Sequence, residues 1–209
     1  MRVTKEHDER RNEILDKAAS LFETKGYDRT TVNDILREVN IAKGTFYYYF
    51  KSKEEVLDAI LDRYLETALE RAEAVRKRPD LSPADKLLQV ILSLRMTSPG
   101  SEVVEELHKP ENALMHQKSI AGAIMKLTPI LKEIVEEGIK AGCFSTPYPE
   151  QTIQILLAAG LTLTDEGMFS FTQEEQMRLF QALVHAYETL FGAKRGSFAS
   201  GLDALIERM

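Results

Sequence analysis

Helical spacing of apolar residues is the feature that most constrains the fold of this chain. Apolar residues recur three and four positions apart along almost the whole sequence, and no stretch alternates apolar and polar residues as a half-buried strand does. The clearest stripe contains Val56, Leu57, Ile60, Leu61, Tyr64, Leu65, Ala68 and Leu69. The pattern predicts an all-α protein of about nine helices, each with an apolar face.

Capping and turn residues predict where the helices begin and end. Gly26 is placed to end a first helix, and Asn40 stands where a left-handed residue would end a second. Thr31 with Asp34 forms a variant of the capping box. Full capping boxes occur at 52–55 and 172–175. Helices are therefore expected over 32–39, 43–49, 53–78, 84–96, 102–108, 113–141, 149–169, 173–191 and 202–208.

Prolines and glycines divide the second part of the chain. Residues 79–83 contain two prolines and indicate a linker. The segment 113–141 is either one helix kinked at Pro129 or two helices meeting there, and Gly142 closes it. Pro149 is suited to the first turn of the helix that follows.

Charge is distributed unevenly along the chain, whose formal net charge is −6. Residues 1–53 hold 11 Lys and Arg against 9 Asp and Glu, and the remainder holds 16 against 24. A basic head on an acidic body predicts that only the head meets a polyanion. A difference this small also arises by chance, so the assignment depends on motifs.

The sequence also indicates the compartment. Cys143 is the single cysteine, so an intramolecular disulfide is impossible and a reducing environment fits. The first residues carry charge without the apolar segment of a signal peptide. The longest apolar run, 155–163, is far shorter than the ~18–20 residues of a membrane span. A cytoplasmic protein without a membrane segment is expected.

Catalysis and metal binding are not indicated by the sequence. One cysteine and four histidines form no recognisable set of nucleophile, base and orienting group. His108 and His116, with Asp165, Glu166 or Cys143 as further ligands, match no strong metal-binding signature, and their geometry stays open. We predict no enzymatic activity, no cofactor and no metal site.

The stretch IAKGTFYYYF, residues 41–50, places five aromatic side chains on one short helix. Phe46 and Phe50 are about one helical turn apart and share a face that can pack inward. The three tyrosines between them are spread around the helix, so at least two must point outward. Outward tyrosines can hydrogen-bond phosphates or pack on thymine methyl groups, as on the second helix of a helix-turn-helix. A small aromatic core or a protein-binding patch is the alternative.

Three motifs follow one another in the first part of the chain. They are Leu21-Phe22-x-x-x-Gly26-Tyr27, Thr30-Thr31-Val32-x-x-Ile35 and the run from Ile41 to Glu54. Together they closely resemble the DNA-binding head of TetR-family transcriptional regulators, over residues 8–57. The resemblance implies a three-helix DNA-binding domain over residues 1–53. A long helix would join it to a larger helical effector-binding and dimerisation domain over residues 54–209.

The resemblance also implies which residues meet DNA. Residues 43–49 would form the recognition helix. The implied contact residues are Thr31, Asn33, Lys43, Gly44, Thr45, Tyr47, Tyr48, Tyr49 and Lys53. Tyr49, which stands where the family often has histidine, would bind phosphate, and Lys53 would do the same. Ala42 replaces a frequent serine, which removes a helix cap worth about 1 kcal/mol.

TetR-like proteins dimerise through their last two long helices, which correspond here to 149–169 and 172–191. The first of these is apolar or small over more than one stripe, which a helix that packs only on its own core does not need. The expected interface residues are Ile153, Leu156, Leu157, Gly160, Leu161, Phe180, Val184 and Tyr187. A helix fully buried inside one protomer is the alternative.

A ligand cavity in the larger domain is a further implication of the resemblance, bounded by the helix after residue 53 and the helix around Pro129. Methionines suit adaptable apolar pockets. The candidate lining residues are Tyr64, Met96, His108, Met115, His116, Met125, Met168 and Phe169. For each of them ordinary core packing is the alternative.

The sequence therefore predicts a sequence-specific DNA-binding transcriptional regulator. By family resemblance it would be a homodimeric repressor, released from a palindromic double-stranded DNA operator by a small-molecule effector. Two alternatives stay open. One is a helical protein-interaction module, and the other is a similar DNA binder that responds to a protein partner instead of a small molecule.

Overall fold

A computed structural model describes residues 2–94 and 102–198 of the 209-residue chain. Within these residues the chain forms nine α-helices and no strand, which confirms the all-α prediction. The helices are α1 (Arg2–Lys25), α2 (Val32–Val39), α3 (Lys43–Tyr49), α4 (Lys53–Arg76), α5 (Pro83–Leu94), α6 (Glu102–Leu107), α7 (Ala113–Lys140), α8 (Pro149–Leu163) and α9 (Gln173–Leu190). A short 3₁₀ turn, Pro110–Asn112, precedes α7. None of the helices in the two described stretches combines the length and apolar character needed to cross a membrane.

α1 ends, and α2 and α3 begin and end, where the sequence predicts. Gly26 follows α1 with a φ of 86°, a left-handed conformation that costs glycine nothing. Thr31 and Asp34 form the capping box of α2, and Asn40 ends that helix with a φ of 57°. Local side-chain chemistry is therefore sufficient to place these boundaries.

The start of α4 carries a modified form of the predicted capping box. The Ser52 hydroxyl accepts the N–H of Glu55 at 3.2 Å, as the box requires. The Glu55 carboxylate reaches one residue further back than expected and accepts the N–H of Lys51 at 2.5 Å. Two exposed N–H groups at the helix start are still satisfied.

In the C-terminal half, the structure decides whether residues 113–141 form one helix or two, and it corrects the predicted end of α8. α7 passes through Pro129 as a single helix. α8 stops at Leu163, not near Phe169, so the predicted end was wrong. The Asp165 carboxylate explains the stop, because its Oδ1 accepts the backbone N–H of Met168 at 3.1 Å and so favours a turn over continued helix. The predicted segment 202–208 lies outside the described residues.

The chain divides into two compact units. The first comprises Met1–Leu65 and Ser98–Met115, and the second comprises Glu66–Thr97 and His116–Met209. Compactness does not identify function, so the functional boundary predicted at residue 53 stays a prediction.

Each unit has its own apolar core. The buried side chains of the first unit include Ile14, Leu15, Phe22, Ile35, Phe46, Phe50, Val56, Leu57 and Val103. Those of the second include Leu87, Val90, Leu127, Leu131, Ile134, Phe144, Ile153, Leu156 and Phe191. The first core is the scaffold that fixes the short helices α2 and α3.

Candidate nucleic-acid interface

The two phenylalanines of the aromatic stretch fix α3 on the first unit. Phe46 and Phe50 are buried, and their ring centroids lie 6.1 Å apart. They join the same core cluster as Phe22 of α1 and Ile35 of α2. Burial of a phenylalanine contributes about 1.5–3 kcal/mol, so this pair is sufficient to hold so short a helix in place.

Two of the three tyrosines of α3 point away from the core. Tyr47 is 46% exposed and Tyr48 is 71% exposed, which confirms that at least two of the three point outward. Tyr49 is partly buried and packs against the core of the first unit. An exposed phenol offers both a hydrogen-bond donor and an apolar ring, which are the groups that phosphates and thymine methyls can meet.

The start of α3 is open to an approaching backbone. Gly44 is exposed, and an added Cβ there would meet no atom within 4 Å beyond its own stretch of helix in the described chain. Lys43 places its Nζ 5.8 Å from the centre of the Tyr47 ring, so a positive charge lies beside an exposed phenol. Ala42 provides no side-chain cap, as the sequence predicts. Thr45 is partly buried.

At the start of α2 one carboxylate organises the predicted contact residues. Asp34 Oδ2 accepts the N–H of Thr31 at 2.9 Å and the Thr31 hydroxyl at 2.8 Å. The Nζ of Lys25 lies 2.5 Å from the same oxygen. The bond from Lys25, followed by those from Thr31, holds the pKa of Asp34 well below its usual range. The Thr31 hydroxyl thus donates its proton to Asp34 within the protein. Asn33, two positions further along the chain, is exposed.

Acid is expected to remove the contribution of Asp34 to stability. Its pKa is depressed in the folded state, so the stabilisation is present above the unfolded value of about 3.9 and is lost as the pH falls toward the folded value. Asp34→Asn should lower the thermal midpoint at pH 7, and the gap from the parent should narrow below about pH 4. Thermal unfolding at both pH values measures this. Asp58→Asn, at an exposed carboxylate of α4, is the control; an unchanged gap would contradict the role given to Asp34.

Lys53 occupies a different environment from the one expected of a purely phosphate-binding lysine. Its Nζ donates to the carbonyl oxygens of Tyr27 at 2.8 Å and Thr30 at 3.1 Å. It also lies 3.9 Å from the centre of the Tyr27 ring. The ammonium thus joins α4 to the turn before α2. An ammonium has three N–H groups, so a phosphate contact by Lys53 stays a prediction that would use the third.

Sequence reasoning named no residue of α1 at this surface, yet His7 lies there. The His7 ring centre is 5.6 Å from that of Tyr48 and 4.7 Å from that of Tyr49. Contact between residues so far apart in the chain leaves no local signal. The only available hint is spacing, since His7 is seven positions before buried Ile14 and hence on the same face of α1.

The residues predicted to bind a ligand divide between the two units. Tyr64 and Met115 pack against the first core, and His108 also belongs to the first unit. Burial raises the pKa of the Tyr64 phenol. Met96 lies outside the described residues. No ligand-binding role follows from these positions alone.

The other ligand candidates lie in the second unit. His116 is buried, and its Nε2 lies 2.8 Å from Asp165 Oδ2. Met125 is 66% exposed, and Met168 and Phe169 are also exposed. These three side chains are exposed to solvent in a single protomer. The alternative considered for them, packing in the core, is therefore wrong.

The predicted dimer residues fall into two groups. Ile153, Leu156, Leu157 and Phe180 are buried in a single protomer, with Ile153 only 2% exposed. Such side chains have no surface left for a partner, so these four positions are corrected to core residues of the second unit. Gly160, Leu161, Val184 and Tyr187 are partly buried. Burial raises the pKa of the Tyr187 phenol.

The outer faces of α8 and α9 carry apolar residues that the sequence prediction missed. Ile155 is 60% exposed and Leu190 is also exposed. Gly160, seven positions after Ile153, lies with it on the other face of α8, and an added Cβ there would meet no atom within 4 Å beyond its own stretch of helix in the described chain. The signal that could have predicted the exposure of Ile155 is the second apolar stripe on α8. Ile155 belongs to that stripe, because it lies outside the face that carries Ile153 and Leu157.

Two family models match the chain. Residues 14–60 match "Bacterial regulatory proteins, tetR family", and residues 95–189 match "Tetracyclin repressor-like, C-terminal domain". The first match includes α2, α3 and the start of α4, where the surface tyrosines lie.

Relatives and solved structures agree with these matches. The HTH-type transcriptional regulator YhgD of Bacillus subtilis is 27% identical over 157 residues, covering 74% of this chain and 82% of the relative. The negative transcriptional regulator IcaR of Staphylococcus epidermidis is 48% identical over 46 residues, 22% of this chain and 25% of the relative. A TetR/AcrR-family regulator from Thermobifida fusca is 26% identical with a TM-score of 0.59, over 86% of this chain and 98% of that one.

A crystal structure of RolR with resorcinol has the same fold, with a TM-score of 0.66 at 16% identity over 96% of this chain and 94% of that one. The helix-turn-helix built by α2 and α3, the two family matches and these neighbours lead to one assignment. The chain belongs to the TetR family of bacterial regulatory proteins and is a DNA-binding transcriptional regulator.

Proposed function

We propose that the protein is a homodimeric repressor that binds a palindromic operator through α3 and is released by a small-molecule effector. The observation that carries the proposal is the exposure of Tyr47 and Tyr48 on a helix whose other face is fixed by buried Phe46 and Phe50. Large aromatic side chains exposed on a rigid short helix favour recognition of another molecule over packing. The IcaR relative, named a negative regulator, supports repression in particular.

DNA selection by the purified protein from a random duplex pool tests the operator. We expect a palindrome whose half-sites lie ~34–36 Å apart, or a multiple of that distance, since two recognition helices must reach the same face of DNA. Affinity should fall steeply between two salt concentrations, because contacts with phosphates release counterions. Recovery of no preferred sequence would contradict the proposal.

The same salt comparison separates the alternative of a protein-interaction module. An apolar interface with a protein depends weakly on salt, whereas binding through six or more phosphates weakens by about 10³ or more between 50 and 200 mM salt. Two features favour the DNA-binding hypothesis. The Lys43 ammonium lies beside the Tyr47 ring, and basic residues outnumber acidic ones in the first 53 positions.

Dimerisation is proposed through α8 and α9, where Ile155 and Leu190 are exposed and the space beside the partly buried Gly160 is open. Gly160→Glu should disrupt the dimer, because a charge placed in the interface would be buried without a partner. Gly160→Ala is the matched control, since beyond its own stretch of helix the added Cβ meets no atom within 4 Å in the described chain. Sedimentation velocity measures the result: a stable dimer with Gly160→Glu would move the interface elsewhere.

Effector release is proposed as the regulatory step. A ligand that moves the protein from 1% to 99% in the released state must prefer that state by about 10⁴-fold. RolR, which shares the fold, was crystallised with resorcinol, so small phenols are a reasonable first panel. Fluorescence anisotropy of the operator complex would detect release. If no compound of a broad small-molecule library releases the operator, regulation by a protein partner becomes the better proposal.

A further inference from the structure

The three rings of His7, Tyr48 and Tyr49 form one cluster at the surface of the first unit. His7 meets Tyr48 edge to face, with 78° between the ring planes, and lies tilted against Tyr49 at 46°. The two tyrosine rings are themselves 5.0 Å apart and nearly perpendicular. Edge-to-face and tilted arrangements at these distances are the favourable geometries for aromatic pairs.

The position of His7 is fixed by the rest of α1. His7, Arg11 and Ile14 recur at helical spacing, so they lie on one face of α1. Ile14 is buried in the core of the first unit, and the Arg11 guanidinium lies 5.2 Å from the centre of the Phe50 ring. This face of α1 therefore runs alongside the aromatic stretch, and His7 is held beside the tyrosines by a continuous helix.

Tyr48 needs such support because little else restrains it. With 71% of its surface exposed, an isolated tyrosine would occupy several rotamers, and DNA binding would then have to immobilise it at a cost in entropy. A ring that already holds Tyr48 in one orientation reduces that cost. The same contact also fixes the direction in which the phenol hydroxyl points.

We propose that His7 is a positioning residue for DNA recognition, which orients Tyr48 and Tyr49 on the recognition helix through ring packing. The inference rests on the proposed function, because it assigns these tyrosines to operator contact. It adds a residue of the first turns of α1 to the recognition surface, where the sequence analysis named no candidate. The ring of His7, rather than its nitrogen atoms, carries the role.

Operator affinity of three variants tests this role. His7→Ala should weaken binding to the selected operator by about 2- to 10-fold, the expected effect of losing one aromatic pair. His7→Phe keeps a ring and should stay within about 2-fold of the parent by the same reasoning. Asn12→Ala is the matched control, at an exposed position of α1 about 140° around the helix from His7. Thermal unfolding confirms that each variant is folded.

A double-mutant cycle links the effect to Tyr48. If His7 acts through Tyr48, adding His7→Ala to Tyr48→Ala should weaken binding by less than His7→Ala does in the parent. Parental affinity of His7→Ala would overturn the inference, and additive losses in the cycle would overturn the role assigned through Tyr48. Equal losses for His7→Phe and His7→Ala would overturn it as well, because they would indicate a polar contact from His7 to DNA.

A measurement without DNA separates this inference from the proposed function. Nuclear Overhauser effects between ring-labelled His7 and tyrosines, assigned with Tyr48→Phe, should report the contact in the free protein. If the parent binds an operator but these signals are missing, only the positioning role fails. If the signals are present but the parent selects no DNA, the proposed function fails and the positioning role fails with it.

Discussion

Gly138→Ala is expected to lower the free energy of unfolding by about 3 kcal/mol, the upper end of the range for an overpacked interior. A Cβ at position 138 would lie 2.1 Å from Cδ2 of Phe144 and 2.5 Å from Cε2 of the same ring. Real Cβ atoms do not approach other carbons so closely, so either the ring or the helix must move. For a chain of this length the thermal midpoint should fall by about 6–12 °C.

The Phe144 ring has no easy direction in which to move. It is buried, and it contacts the rings of Phe191 at 5.5 Å and Phe198 at 6.2 Å between centroids. Its backbone is fixed as well, because the N–H groups of Cys143 and Phe144 both donate to the carbonyl oxygen of Gly138. These bonds belong to the turn that ends α7, in which Gly142 adopts a φ of 73°.

Chemical denaturation at fixed protein concentration measures the effect, and a second background isolates its cause. Without a clash, glycine to alanine inside a helix stabilises by about 0.5–1 kcal/mol. In a Phe144→Ala protein, which itself loses about 3–5 kcal/mol, Gly138→Ala should therefore become neutral or stabilising. A loss below about 0.5 kcal/mol in the parent would show that the packing around Phe144 is looser than described.

The helix boundaries show which parts of the fold could be predicted from the sequence. Thr31, Asn40 and Gly142 act on backbone groups within a few residues, so their effect can be read locally. The end of α8 was predicted too late, although the bond from the N–H of Met168 to Asp165 is local. The second contact of Asp165, with His116 49 positions earlier, could not be predicted, because it depends on how the second unit packs.

The functional surface shows the same distinction. Helix geometry alone required at least two of the three tyrosines to point outward, since Phe46 and Phe50 had to face inward, and the structure shows that these two are Tyr47 and Tyr48. The bonds of Lys53 to two carbonyl oxygens depend on how α4 packs beside the turn after α1, which spacing cannot reveal.

Burial on α8 depends on the collective arrangement of the second unit in the same way. Periodicity marks an apolar stripe, but it does not tell whether the stripe faces its own protomer or a partner. Ile153 and Ile155 are both isoleucines two positions apart, yet one is buried and the other exposed. Only the packed unit assigns one to the core and the other to the surface.

Tyr48→Ala is expected to weaken specific operator binding by about 10- to 100-fold while the dimer and the fold stay intact. Tyr48 is the most exposed of the three tyrosines, so its removal costs little stability. A hydrogen bond to a charged phosphate contributes about 1.5–3 kcal/mol, which corresponds to about 10- to 100-fold in affinity. Anisotropy with the selected operator measures this, and sedimentation velocity checks the dimer. Operator binding as tight as that of the parent would remove α3 as the recognition helix.

Tyr48→Phe distinguishes the two ways in which a tyrosine can serve on DNA. If the hydroxyl binds a phosphate, phenylalanine should lose as much affinity as alanine, and the loss should be equal across sequences. If the ring packs on a thymine methyl, phenylalanine should keep the affinity, and alanine should relax the preference at one base pair. Tyr47→Phe in the same assay gives a comparison from a phenol on the same helix. In the proposed arrangement His7 contacts the ring of Tyr48 and not its hydroxyl. If Tyr48→Phe and His7→Phe both keep the parental affinity, recognition depends on the aromatic surfaces themselves.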